Sequence, residues 1–159
     1  MSKEFRWSNE IVRRRLDYFV MQVFAELNPG ESLEPVEYIQ AMCRALQDVA
    51  EGKCRRLLIT VPPRHLKSIC ASVSFCAWVL GKDPSKEIMV ASYSRGLAQE
   101  HSGNFRRVIE APWFKWIFPA FAIDPRTNRQ EEIKTTATGG RKAVSNGGTV
   151  TGKGADILI

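Results

Sequence analysis

Arg56-Leu57-Leu58-Ile59-Thr60-Val61-Pro62-Pro63-Arg64-His65-Leu66-Lys67-Ser68 decides how the rest of this chain is read. Leu57 to Val61 is a continuous β-favouring run closed by two prolines, the pattern expected of a strand covered on both faces. From Ser68 to Leu80 nearly every residue is apolar or small, so a buried helix is expected there, stopped by Gly81 and Pro84. Between them lies a short polar loop ending in Lys67-Ser68. A tight turn between strand and helix aims backbone N–H groups and the positive helix start at a phosphate, and a lysine and a hydroxyl complete such a site.

The full pattern is G-x-x-x-x-G-K-[ST], and here Val61 and Leu66 stand in place of its two glycines. Leucine takes a positive φ less cheaply than glycine, so the local pattern is equally compatible with an ordinary strand-ending turn and an exposed helix start. The flanking elements favour the phosphate loop. Ile88 to Ser92 reads as a second buried strand, completing strand, helix and strand within one right-handed crossover.

Upstream, apolar residues from Ile11 to Leu27 at three- and four-residue steps predict one amphipathic helix ending at Asn28-Pro29-Gly30. A second follows, with Pro35 in its first turn and a stripe from Val36 to Val49. Downstream, a helix is expected from about Arg95 to Ile109, ended by Pro112, then an aromatic cluster from Trp113 to Pro119 and an arginine-bearing loop to about Arg129. Ile133 to Thr138 and Arg141 to Ser145 read as a strand pair joined at Gly139-Gly140, with a turn at Asn146 to Thr149. Ala155 to Ile159 begins a third buried strand.

The 159 residues are 44% hydrophobic and 25% charged, enough for one sizeable core. No apolar run approaches the roughly 20 residues of a membrane span, and the N-terminus lacks a signal-peptide core, so an intracellular, soluble protein is expected. Cys43, Cys54, Cys70 and Cys76 form no C-x-x-C pair and read as reduced thiols. With only His65 and His101 besides, a zinc site has no support. The net charge of +6 biases the surface toward polyanions. Arg13 to Arg15 and Arg55-Arg56 are clusters of the kind that also occur as solvated faces.

The block from Arg56 to Ser68 resembles the variant Walker A region of phage-type terminase large subunits, ATPases that drive DNA into viral capsids. Similar features follow in order: Ala91-Ser92-Tyr93-Ser94, the helix with Arg106-Arg107, the Trp113 to Pro119 cluster, and Gly147 to Asp156. They cover most of residues 35 to 159. The resemblance implies an α/β fold of P-loop NTPase type, with a mainly parallel sheet flanked by helices. It implies an N-terminal helical lead-in over residues 1–52 and a partial ATPase domain over 53–159. The cofactors would be ATP and Mg²⁺, bound by Pro63, Arg64, His65, Leu66, Lys67 and Ser68. Lys67 would meet the β- and γ-phosphates and Ser68 would ligate the metal. Arg64 would act as a cis arginine on the γ-phosphate, or else anchor to a nearby carboxylate. Pro35 and Tyr38 lie where the family contacts the base, although an aromatic at this spacing also suits a core.

Gly152-Lys153-Gly154 lacks a following helix and reads as a turn rather than a second phosphate loop. Asp156 precedes the apolar run, so it reads as the residue that opens the strand rather than as a metal-holding acid at its far end. The acids that hold Mg²⁺ and orient water would belong just past Ile159, so this chain reads as an ATP-binding, N-terminal part of the motor with little hydrolysis of its own. The intact family implies double-stranded DNA, a small terminase subunit and a portal protein as partners, a homo-oligomeric ring, and a cytoplasmic location. A non-enzymatic basic nucleic-acid-binding fragment or inactive prophage remnant, and another P-loop protein such as a helicase, are the alternatives.

Overall fold

A computed structural model describes residues 8–34, 36–145 and 154–159. The Asn146 to Thr149 turn, Gly152-Lys153 and Pro35 lie outside the described residues. The N-terminal part forms α1 (Asn9–Arg14), α2 (Leu16–Leu27) and α3 (Glu37–Ala50). The single helix expected from Ile11 to Leu27 is thus broken at Arg15, whose backbone is extended. The break is held from outside. The Gln47 side chain of α3 accepts from the Leu16 N–H and donates to the Arg14 carbonyl, satisfying groups that the interrupted ladder frees.

Helical backbone resumes at Lys67. It passes through a π-helical segment, Ile69–Phe75, into α4 (Cys76–Lys82). Every residue from Cys70 to Gly81 is buried, as the apolar run predicts. Then come β1 (Glu87–Ser92), α5 (Arg95–Glu110) and α6 (Pro112–Ile117). The Ser94 hydroxyl accepts from the Leu97 N–H at the start of α5. Pro112 ends α5 by opening α6 at its first turn, where a missing N–H costs nothing.

The strands β2 (Ile123–Asn128), β3 (Glu132–Thr135), β4 (Gly140–Ser145) and β5 (Ile157–Leu158) complete a five-stranded sheet of order β2-β3-β4-β1-β5. β4, β1 and β5 are parallel, while β2 and β3 are antiparallel additions. The fold is therefore α/β with a mixed sheet rather than a mainly parallel one. β2 occupies the segment expected to be a loop, because it pairs with β3 through a register shift between Ile123 and Asn128. The β3–β4 pair turns at Gly139 as expected: a Cβ there would lie 2.4 Å from the Pro84 and Lys86 carbonyl oxygens.

Two strand expectations fail. Leu57 to Val61 has no ladder partner among the described residues, and Leu58 is 86% exposed. Both edges of β1 are already taken by β4 and β5, so this run cannot pair beside β1. Only Ile59 of the run packs against the core. β5 does pair with β1, but Leu158 is 70% exposed rather than buried. Asp156 opens β5 as expected: its carboxylate accepts from the Glu87 N–H, and its own N–H donates to the Glu87 carbonyl.

One hydrophobic cluster joins the N-terminal helices, the buried helix, α5, α6 and the sheet. Phe19 of α2 packs edge-on against Trp113, Phe114 and Phe118. Trp78 donates its indole N–H to the Val12 carbonyl, 66 residues away. The four cysteines are free thiols, and Cys43, Cys70 and Cys76 are buried. Among the described residues no helix is long and apolar enough to cross a membrane.

Candidate functional site

The loop Pro63–Leu66 carries two of the three non-glycine positive-φ residues described, Arg64 at 65° and Leu66 at 56°. His65 and Lys67 do not share that handedness, so φ alternates in sign along 64–67. Alternation of this kind turns successive N–H groups toward one side and makes a concavity that suits an anion. A left-handed leucine costs roughly 1–2 kcal/mol, so the loop is held against its local preference. Leu66 is the residue standing where the second glycine of the G-x-x-x-x-G-K-[ST] pattern falls. It adopts the backbone a glycine would take, with its side chain packed against the core.

Neighbouring contacts fix the shape. The Leu66 carbonyl accepts from the Cys70 N–H at 2.8 Å, tying the loop to the helix that follows. His65 Nδ1 lies 2.9 Å from the Pro63 carbonyl oxygen, an N–H···O bond that folds the ring back over the turn. Tyr38, in the first turn of α3, packs edge-on against the His65 ring at 5.6 Å. Tyr38 is 40% exposed, so it is not the core aromatic its spacing allowed.

Lys67 and Arg64 are exposed, and neither forms an ion pair with a carboxylate among the described residues. The anchoring alternative for Arg64 therefore finds no partner there. Ser68 is half-buried with helical backbone. No cluster of three His, Cys, Asp or Glu side chains among the described residues could hold a metal ion. A lone serine fits Mg²⁺ only where phosphate oxygens and water supply the other ligands, which is how that ion is usually held.

Two clefts lie away from the loop. One of about 270 Å³ sits over the amino ends of β1 and β4, beside Glu87, Gly140 and Lys142. Another of about 320 Å³ lies between Arg95, Gln99 and Glu131. Neither is lined by a residue of 63–68. This does not count against the loop, because a phosphate nest binds through backbone N–H groups on a shallow surface and needs no deep cavity.

Most of the arginine clusters are internally engaged. Arg14 pairs with Glu10, Arg15 with Asp17, and Arg126 with Asp124. Arg106 bonds Asn128 and the Arg129 carbonyl, and Arg107 bonds Glu26. Arg13, Arg55, Arg56 and Arg129 stay exposed without an ion pair among the described residues. Sequence reasoning missed the Tyr38–His65 contact and the buried Arg141, whose partners are distant in the chain.

No protein-family model matches this chain, and neither the curated proteins nor the solved structures contain a significant match. The class defined by the coordinates is an α/β protein with a mixed five-stranded sheet.

Proposed function

We propose that Pro63, Arg64, His65, Leu66, Lys67 and Ser68 bind the phosphates of ATP, with Mg²⁺ at Ser68, in the N-terminal part of a terminase-like DNA-packaging ATPase. The observation that carries this reading is Leu66. At the position of a phosphate-loop glycine, a leucine holds φ at 56° next to a second left-handed residue, immediately before a buried helix. Nothing in the local sequence favours that backbone, whereas phosphate binding needs it.

In this reading the backbone N–H groups of the loop surround the β-phosphate, and the helix start adds a partial positive charge. Lys67, without a carboxylate partner among the described residues, places its ammonium on the β- and γ-phosphates. Arg64 offers a second cation to the γ-phosphate. The bound metal would screen phosphate charge, with the Ser68 hydroxyl as its protein ligand. Tyr38, resting on His65, offers an apolar face beside the phosphates. Double-stranded DNA, a small subunit, a portal and a ring of copies belong to the same reading.

The competing nucleic-acid reading loses Arg14, Arg15, Arg106, Arg107 and Arg126 to internal pairs and keeps Arg13, Arg55, Arg56 and Arg129, exposed and without an ion pair among the described residues. Equilibrium binding separates the two. An ATP analogue should bind wild type and not Lys67→Ala, while an affinity for DNA that falls steeply with salt and ignores Lys67 supports the basic module.

A further inference from the structure

The seven residues Ile69–Phe75 are π-helical, immediately after the phosphate loop. A π-turn replaces the i→i−4 bond by i→i−5 and is rare beyond a single turn, so so long a run needs an outside hold. Its register matters. A change of one residue turns everything on the N-terminal side by about 100° relative to the buried α4.

The outside hold is a buried cation. Arg141, second residue of β4, is 2% exposed and stands in register with Ile88 and Ile133. Its Nη2 donates to the Ser72 carbonyl at 3.2 Å, inside the π-helical run. Its guanidinium lies over the Phe105 ring, 5.1 Å from the centroid, and the Cys76 thiol is beside it. Apart from the neighbouring Cys76 thiol, Nε and Nη1 find no partner among the described residues, and no carboxylate among them pairs with the guanidinium. Burying a guanidinium so poorly compensated is strongly unfavourable, and an apolar residue of similar length would avoid the penalty. A packing role alone does not account for it.

We infer that Arg141 is a positioning residue for the phosphate loop: by holding the Ser72 carbonyl, it keeps Ile69–Phe75 in the π register and so sets the direction in which Lys67 and Ser68 are presented. The ligand half of this inference rests on the nucleotide reading above, whereas the register half stands without it.

Backbone NMR on the wild-type chain, R141M and R141K, with a fluorescent ATP analogue titrated into each, tests both halves. The wild type should show i→i−5 bonding across 69–75. R141M should return to i→i−4 and bind the analogue about tenfold or more weakly, the loss typical of removing a residue that orients a ligand-contacting group. R141K, whose ammonium can still donate to Ser72, should keep the π pattern. R141M with an unchanged π pattern overturns the inference, as does R141K behaving like R141M. Should R141M fail to fold, the wild type still decides: a scalar coupling from the Arg141 guanidinium to the Ser72 carbonyl is expected, and a freely rotating guanidinium overturns the hold. A wild type that shows the π pattern but binds no analogue refutes the nucleotide reading and leaves the register result intact.

Discussion

Tyr38 and His65 meet edge to face at 5.6 Å between ring centroids, linking the first turn of α3 to the middle of the 63–66 loop across 27 residues of chain. The same imidazole bonds the Pro63 carbonyl, so one ring braces the loop from inside and is itself braced from α3. Removing the phenol ring should loosen the loop more than it loosens the fold. Tyr38→Ala is expected to lower stability by about 0.5–1.5 kcal/mol, the worth of one aromatic pair. Its weakening of ATP-analogue binding should exceed that of a control alanine at the exposed Arg44, which forms no ion pair among the described residues. Equal effects at the two positions would remove Tyr38 from the account.

Leu66 is held left-handed at a cost of roughly 1–2 kcal/mol. Leu66→Gly relieves that strain but loses packing and raises the entropy of the unfolded chain, effects of about 0.5–1 kcal/mol or more. The balance should be small in urea denaturation, with analogue binding retained. Leu66→Val should be clearly worse in both, because a β-branched residue resists positive φ more strongly. A valine variant as stable as the glycine variant would mean that the loop is free to relax.

Gly139 sits where a side chain has no room: its Cβ would lie 2.4 Å from the Pro84 and Lys86 carbonyl oxygens. The neighbouring Gly140 N–H donates to the same Lys86 carbonyl, and Thr135 Oγ1 donates to Pro84. Gly139→Ala must push the β3–β4 hairpin away from the turn before β1. A loss of about 2–3 kcal/mol is expected, as for other overpacked sites, measured as a shift in the urea midpoint at constant slope.

His101 of α5 is buried, and burial, followed by the charge of Arg141, lowers its pKa below the ordinary 6.5; Glu100 opposes weakly. The folded state therefore holds a neutral imidazole. As pH falls below about 6.5, the unfolded chain takes up a proton that the folded chain refuses, so stability should decline with acidification. His101→Gln should flatten that slope in denaturation series run on either side of neutrality. An equal slope in the variant would assign the pH dependence to other groups.

These residues also show where local sequence carries the structure and where it does not. The apolar run after Ser68, the helix beginning near Arg95, the Gly139 turn and Asp156 at the head of β5 were legible, because each depends on residues near in the chain. The break at Arg15 was not, since the side chain that satisfies it belongs to Gln47. Leu57 to Val61 has a strand's composition, but composition does not reveal that both edges of β1 are occupied. Within the loop, the pattern gave the positions of Lys67 and Ser68, while the missing second glycine argued against the backbone that Leu66 adopts, and nothing in the pattern pointed to the left-handed Arg64. The contacts of Tyr38 and Arg141 arise only once α3 and β4 are folded against the loop and its helix.

The nucleotide reading stands or falls on Lys67, which is exposed, unpaired among the described residues, and first in the helix after the loop. The most direct measurement is equilibrium titration of a fluorescent ATP analogue, with Mg²⁺, into the wild-type chain and Lys67→Ala, after circular dichroism has shown both folded. Saturable wild-type binding that weakens by about 2 kcal/mol or more in the variant, the scale of a charge-assisted contact, is the predicted result. Identical binding by the two proteins, or none by the folded wild type, would contradict it.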